Sequence, residues 1–418
     1  MKYYLVGIKG TGMSALAKVL KDMGYFVTGS DCEEVFFTDN ILKENNISYK
    51  VFNKKNINNE YTYIISSCYQ DDHEEVLEIK KNNYKYYYYH QFIEKFFKNK
   101  LGVAGVHGKT TTTSFVKDLF CNKKISALIG DGTGIGNQDY DYFIFEACEY
   151  KNHILSYNFD YLIITNIDND HLDFFKDINE IFETFKKACE KAKYIIINEN
   201  IKIEHPNKYT FGKEKDSYCY YEIIEQNEKG YKLKIIIDKN EHYINYPYYG
   251  KHMIEDLLAS ITLYYLVNKE LDILQEKIYN FKKINRRMNE YYYKGNIIID
   301  DYAHHPTEIK ALLQAVKQKY YDKSINVIFQ PHTYSRTLNL RKEFNECFEL
   351  CDKLFLMNTF TSKREKYSKK LEEETYNIFK NKQEFNERTL KDLFSGKEKI
   401  IIFLGAGNFN KYINKIRS

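Results

Sequence analysis

Gly102-Val103-Ala104-Gly105-Val106-His107-Gly108-Lys109-Thr110-Thr111-Thr112-Thr113-Ser114 is the stretch from which the fold can be read. A short apolar strand start runs into glycines, and these lead into Phe115-Val116-Lys117-Asp118-Leu119-Phe120, an amphipathic helix pattern. Glycine has no Cβ, so backbone N–H groups can close on phosphate oxygens, and the helix N-terminus adds the positive end of its dipole. Lys109 then falls on the β- and γ-phosphates of a nucleotide, and the Thr110 hydroxyl falls on Mg2+. Strict phosphate-loop spacing asks for glycine at 103, where this chain has Val103. The strand–loop–helix context and the four threonines carry the reading instead.

At 418 residues the chain is too long for one ordinary core, and two or three domains are expected. A hydrophobic content of 43% beside 29% charged residues describes a soluble globular protein. The net charge of +4 gives no case for nucleic acid. Forty tyrosines and no tryptophan point to codon bias, and the Tyr86–Tyr89 run reads that way rather than as a stacking platform. The eight cysteines are scattered without any C-x-x-C, and Cys347 and Cys351 fall one helical turn apart in a helix-like segment. Reduced thiols in a cytoplasm are the natural reading. The start, Met1–Gly7, reads as a strand entering a glycine turn rather than a signal peptide. No apolar run approaches the ~18 residues that a membrane span needs.

Three strand–glycine–helix starts divide the sequence into a Rossmann-like unit over 1–97, a phosphate-loop unit with a parallel sheet over 98–284, and a second Rossmann-like unit over 285–418. The first runs from the strand Tyr3–Val6 through Gly7-Ile8-Lys9-Gly10-Thr11-Gly12 into the helix Met13–Met23, then to a strand ending at Gly29-Ser30-Asp31 and another over Tyr63–Ser66. The second adds strands at Tyr142–Glu146, Tyr161–Thr165 and Tyr194–Asn198, and antiparallel strands over 217–247. The third places buried strands at Ile297–Asp301, Val327–Gln330, Lys353–Met357 and Ile400–Leu404. Such βαβ alternation makes an α/β protein of parallel sheets.

Gly7-x-x-Gly10-x-Gly12 with Asp31 resembles a dinucleotide fingerprint with its spacing reversed, and a nucleotide-sugar diphosphate satisfies the same turn and helix N-terminus. Glu146-Ala147-Cys148-Glu149 ends a strand beside the phosphate loop, where carboxylates hold Mg2+ or its waters. His171, in Asn166-Ile167-Asp168-Asn169-Asp170-His171, stands where a second metal ion would meet a γ-phosphate, or is simply solvated. The third unit supplies Arg286-Arg287, Asp300-Asp301-Tyr302-Ala303-His304-His305-Pro306-Thr307-Glu308 and Gln330-Pro331-His332-Thr333-Tyr334-Ser335-Arg336-Thr337, all at strand C-terminal ends.

Taken together and in this order, these motifs resemble the Mur ligases, ATP-dependent amide-forming enzymes of peptidoglycan precursor synthesis. The resemblance covers essentially the whole chain and implies three domains, which bind a UDP-sugar, bind ATP, and close over ATP and an incoming amino acid. It implies UDP-N-acetylmuramate and L-alanine as small-molecule partners, ATP and Mg2+ as cofactors, a cytoplasmic setting, and a monomer or homodimer. Gly105, His107, Gly108, Lys109, Thr110, Thr111, Asp256, Arg287 and Asp301 are then expected around ATP. Thr110, Glu146 and His171 are expected on metal, and Gly10, Thr11, Gly12, Asp31, Ser66, Glu149 and His305 on substrate. Lys109, Arg287, His304 and Arg336 are the expected catalytic set, with His304 as proton acceptor and Arg336 at the amino-acid carboxylate. A ligase that attaches a recycled cell-wall tripeptide, or a non-catalytic nucleotide-binding regulator of this fold, is the alternative.

One departure stands out. The family reads G-x-H-N-x-x-N where this chain has Gly250-Lys251-His252-Met253-Ile254-Glu255-Asp256. An ionised Asp256 can accept from the adenine amino group but cannot donate to N7, so base recognition is expected to differ.

Overall fold

The computed structural model describes residues 1–413 apart from 70, 228, 272–273, 282–283, 362–364, 396, 408 and 410–411, so the end of the third unit, at 414–418, lies outside the described residues. Three sheets occur in three successive parts of the chain. The first runs in the order Tyr49–Val51, Phe26–Asp31, Lys2–Val6, Thr62–Ile65, Tyr86–Tyr88, and every pairing is parallel. Tyr3 to Val6 are buried without alternation, as expected of a strand covered on both faces. The helix Thr11–Asp22 follows directly, and its Ser14 hydroxyl donates to the Gly132 carbonyl of the central unit (3.4 Å).

The central sheet has ten strands, and its inner ones fix the site. Lys100–Ala104 lies between Phe159–Ile164 and Tyr142–Glu146, parallel to both. Chain order reverses across this strand, the place where open α/β sheets leave a crevice beyond their strand ends. Outward from Phe159–Ile164 come Ala192–Asn198, Lys208–Gly212, Cys219–Asn227, Gly230–Ile237 and Asn240–Tyr246, the last two joined antiparallel. The helices Lys109–Leu119 and Lys251–Asn268 share one core with the sheet through Phe115, Val116, Leu257 and Ile261. In the third sheet the parallel strands Asn296–Asp301, Lys399–Leu404 and Ser324–Phe329 are neighbours, with Asn289–Tyr293 antiparallel at the edge.

Some local expectations change. Tyr86–Tyr88 is a strand and Tyr89 opens the helix Tyr89–Phe96, so this run is architecture rather than composition alone. The Tyr89 ring covers Gly12, whose missing Cβ makes room for it. Cys347 and Cys351 are not in a helix: Arg341–Glu346 ends before them, and a turn separates the two.

The helix Ile178–Cys189 is started by Asp177, whose carboxylate accepts the backbone N–H groups of Asn179 (2.9 Å) and Glu180 (3.1 Å). Asp177→Ala leaves those donors to water and should cost about 1 kcal/mol. Urea unfolding of the central unit should shift accordingly; an unchanged midpoint would contradict this capping role.

Candidate active site

The phosphate-loop reading meets a loop shaped by backbone constraint. Gly105 and Gly108 have φ of +129° and +78°, a region that side chains avoid. A Cβ on Gly108 would run into the Asp256 carboxylate, and one on Gly105 into the Thr165 hydroxyl. The loop therefore presents N–H groups and little else, as a polyphosphate requires. Lys109 turns back into it, donating to the Gly105 and Val106 carbonyls, and its ammonium lies 3.2 Å from Glu149. Burial opposes the charge on Lys109, yet Glu149 outweighs it and the pKa rises to about 12.

The ends of the two flanking strands close the site. Glu146, at the end of Tyr142–Glu146, accepts the Gly130 N–H and the Thr110 hydroxyl; burial pushes its carboxyl up despite Lys109. A carboxylate and a hydroxyl beside a phosphate loop suit a hard divalent cation. His171 takes a left-handed backbone (φ +53°) that brings its ring nitrogen within 3.6 Å of Glu149. Glu149 thus meets both Lys109 and His171, as a carboxylate 1% exposed needs opposing partners.

The two adjacent arginines diverge. Arg286 turns inward, onto Asp300 (3.2 Å) and the Gly405 and Gly407 carbonyls, while Arg287 faces the cleft near Glu308, Asp301 and Glu146. Asp301 accepts the N–H groups of Met288 and Ala303, and burial raises it to about 6. His304 places Nδ1 3.1 Å from the Tyr302 carbonyl, which can only accept, so the neutral ring carries its proton there and leaves Nε2 as an acceptor. Burial, aided by Arg336, lowers its pKa to about 3. His305, expected on substrate, is held by the protein itself. Its Nδ1 caps the helix Pro306–Lys319 by accepting from Thr307, and Nε2 donates to the Asn169 carbonyl (2.8 Å), which uses both nitrogens. Arg336 donates through Nε and Nη2 to Asp170 and through Nη1 to His332. Two of its five N–H groups remain beside a cavity of about 60 Å³ bounded by His171, Thr333, Ser335 and Glu365.

In the first unit, Asp31 organises the glycine turn, accepting N–H groups from Lys9 and Cys32, both at 2.8 Å. Ser66 lies against Gly7 and Gly10, and Thr11 opens the helix, so Gly10, Thr11, Gly12 and Ser66 share one edge of the sheet.

Between the second and third units lies a cavity of about 470 Å³, lined by His107, Gly108, Thr111, Asp256, Arg287 and Asp301 together with Tyr248, Met253 and Leu312. A polar end and an apolar end suit a nucleotide. Asp256 lies in this cavity, where burial holds its carboxyl above the usual range and its Oδ1 accepts from Thr112 (3.1 Å). Two further groups have roles that sequence order could not reveal: Asp170, and Glu308, which His107 and Arg287 approach at 3.5 and 3.9 Å. Both lie in strand-end stretches singled out from the sequence, but each takes a partner from another unit, Arg336 for Asp170 and His107 for Glu308.

A family model described as the Mur ligase family catalytic domain matches residues 2–101, a Mur ligase middle domain matches 103–264, and a Mur ligase glutamate ligase domain matches 286–407. The structure is similar to a UDP-N-acetylmuramate-alanine ligase from Thermotoga maritima (TM-score 0.83, 23% identity, 100% of this chain and 98% of that one). It is also similar to a murein peptide ligase from Psychrobacter arcticus 273-4 (TM-score 0.75, 18% identity, 100% and 98%). A third is a MurF ligase from Thermotoga maritima in complex with ADP (TM-score 0.57, 16% identity, 91% and 91%). At such identities the likeness concerns the fold.

His107 joins the units, with Asp168 3.0 Å from Nε2 and Glu308 3.5 Å from Nδ1. Burial opposes its charge, but the two carboxylates prevail and raise its pKa from 6.5 to about 9. A raised folded-state value stabilises fully below pH 6.5 and is lost as pH climbs through about 9. The thermal midpoint should fall across that window, and His107→Gln should flatten the fall. An identical slope in both proteins would contradict the assignment.

Proposed function

The chain belongs to the Mur ligase family, and on that premise we propose that it joins L-alanine to UDP-N-acetylmuramate while cleaving ATP to ADP and phosphate. Residues 1–97 hold the UDP-sugar, 98–284 hold ATP, and 285–418 bring the amino acid. What supports alanine is the likeness, over the whole chain, to a UDP-N-acetylmuramate-alanine ligase. The likeness to a murein peptide ligase favours a second reading, attachment of a recycled tripeptide to the same sugar nucleotide.

A carboxylate is a poor electrophile, and phosphorylation turns it into an acyl phosphate that an amine can attack. Lys109 and Arg287 spread positive charge over the transferring phosphoryl group. Thr110 and Glu146, with His171 nearby, would hold Mg2+, which neutralises phosphate charge when bound. Arg336 offers its two remaining N–H groups to the amino-acid carboxylate. His304, with Nε2 as its acceptor, is the candidate to take the proton that the ammonium must lose. The cavity between the second and third units keeps water from the acyl phosphate.

Phosphate release with UDP-N-acetylmuramate and a panel of amino acids, with tripeptide in competition, tests this reading. L-Alanine should drive release; release driven by the tripeptide alone would replace alanine with the second reading. Lys109→Ala should lower the rate at least ~10²-fold while UDP-N-acetylmuramate still binds, since the two ligands use different glycine loops. Ligation within a few-fold of the unsubstituted protein would overturn the role of Lys109.

A further inference from the structure

Three consecutive residues of one central-unit loop each grip a different residue of the third unit. Asp168 accepts the Thr307 hydroxyl (2.7 Å), the Asn169 carbonyl accepts from His305 (2.8 Å), and Asp170 takes Arg336 through two bonds of 2.9 and 3.1 Å. Asp170 and Arg336 are 7% and 8% exposed, so this is a desolvated pair that needs both members. The Arg336 guanidinium holds the Asp170 carboxyl well below the usual range, against the effect of burial. The same Asp170 Oδ1 accepts the backbone N–H of His171 (2.7 Å), which then turns toward Glu149. At its other end the loop is tied to the phosphate loop, where Asn166 accepts the His107 N–H (2.9 Å) and donates to the His107 carbonyl (2.9 Å).

We propose that Asp170 is a positioning residue: through its bidentate pair with Arg336 it docks the third unit onto the 166–171 loop, and so fixes the wall of the nucleotide cavity and the direction of His171. Neither Asp170 nor Arg336 lines that 470 Å³ cavity. Any effect of the pair on nucleotide binding must therefore pass through docking. The proposal rests on the ligase reading only in taking an adenine nucleotide as the ligand of the cavity.

The test uses the full chain. Calorimetry with the non-hydrolysable analogue adenylyl imidodiphosphate plus Mg2+ should show binding weakened ~10-fold or more in Asp170→Asn and in Arg336→Met. UDP-N-acetylmuramate should bind all forms alike. The double variant Asp170→Leu/Arg336→Met should bind the analogue no more weakly than either single variant, because both singles break one interaction. It also serves if a single variant fails to fold, since an apolar pair leaves no buried charge unmatched. Hydrogen–deuterium exchange at the 305–309 amides, without ligand, should accelerate in each variant. Unchanged exchange with unchanged nucleotide affinity in folded variants would overturn the proposal, as would penalties that simply add. If the unsubstituted protein does not bind the analogue, the ligase reading fails, and the exchange measurement alone decides whether Asp170 docks the unit.

Discussion

The structure depends on burying a lysine ammonium beyond the strand ends of the central sheet. Lys109 is 17% exposed and sits among carbonyls of its own loop, a position untenable without an opposing charge. Glu149 provides it, and that carboxylate, 1% exposed, in turn needs Lys109 and His171. The arrangement is possible because Glu149 and His171 follow the two strands that flank Lys100–Ala104. Strand order sets the electrostatics. A phosphoryl group arriving at this loop would find the cation already in place, with its charge held by neighbouring carboxylates.

The second consequence concerns the third unit. It contributes Arg287, His304 and Arg336, but their positions are set by contacts that cross to the central unit. His305, His107 with Glu308, and Arg336 with Asp170 each span that junction. Several are short and buried, so they tolerate little displacement. The 470 Å³ cavity is bounded from both sides, which ties its shape to the docking of one unit on the other.

Much of this was legible in the sequence. The glycine spacing around Lys109, unbroken apolar runs such as Ile297–Ile299, and clusters placed after them were enough for an α/β chain with strand-end sites. These features are local, and local patterns reveal a strand, a turn and a helix start. What escaped was the choice between neighbours. Nothing in Arg286-Arg287 says which guanidinium turns inward, and nothing in His304-His305 says that one caps a helix while the other keeps a free nitrogen. The raised carboxyl of Asp256 was illegible for the same reason, since it follows from burial under Gly108 rather than from residue type. The Tyr86–Tyr88 strand was hidden by a composition rich in tyrosine.

Lys109 and Glu149 together describe a site whose charges are matched before ligand arrives, which is the arrangement that transition-state stabilisation favours. The central claim is that this site activates a carboxylate by phosphorylating it. The most direct measurement follows the oxygen. UDP-N-acetylmuramate labelled with 18O in its carboxylate is turned over with ATP and L-alanine, and the released phosphate is examined by mass spectrometry. The account predicts one labelled oxygen in each phosphate formed, because the acyl phosphate breaks at the carbonyl carbon. Unlabelled phosphate formed alongside the amide product would contradict it.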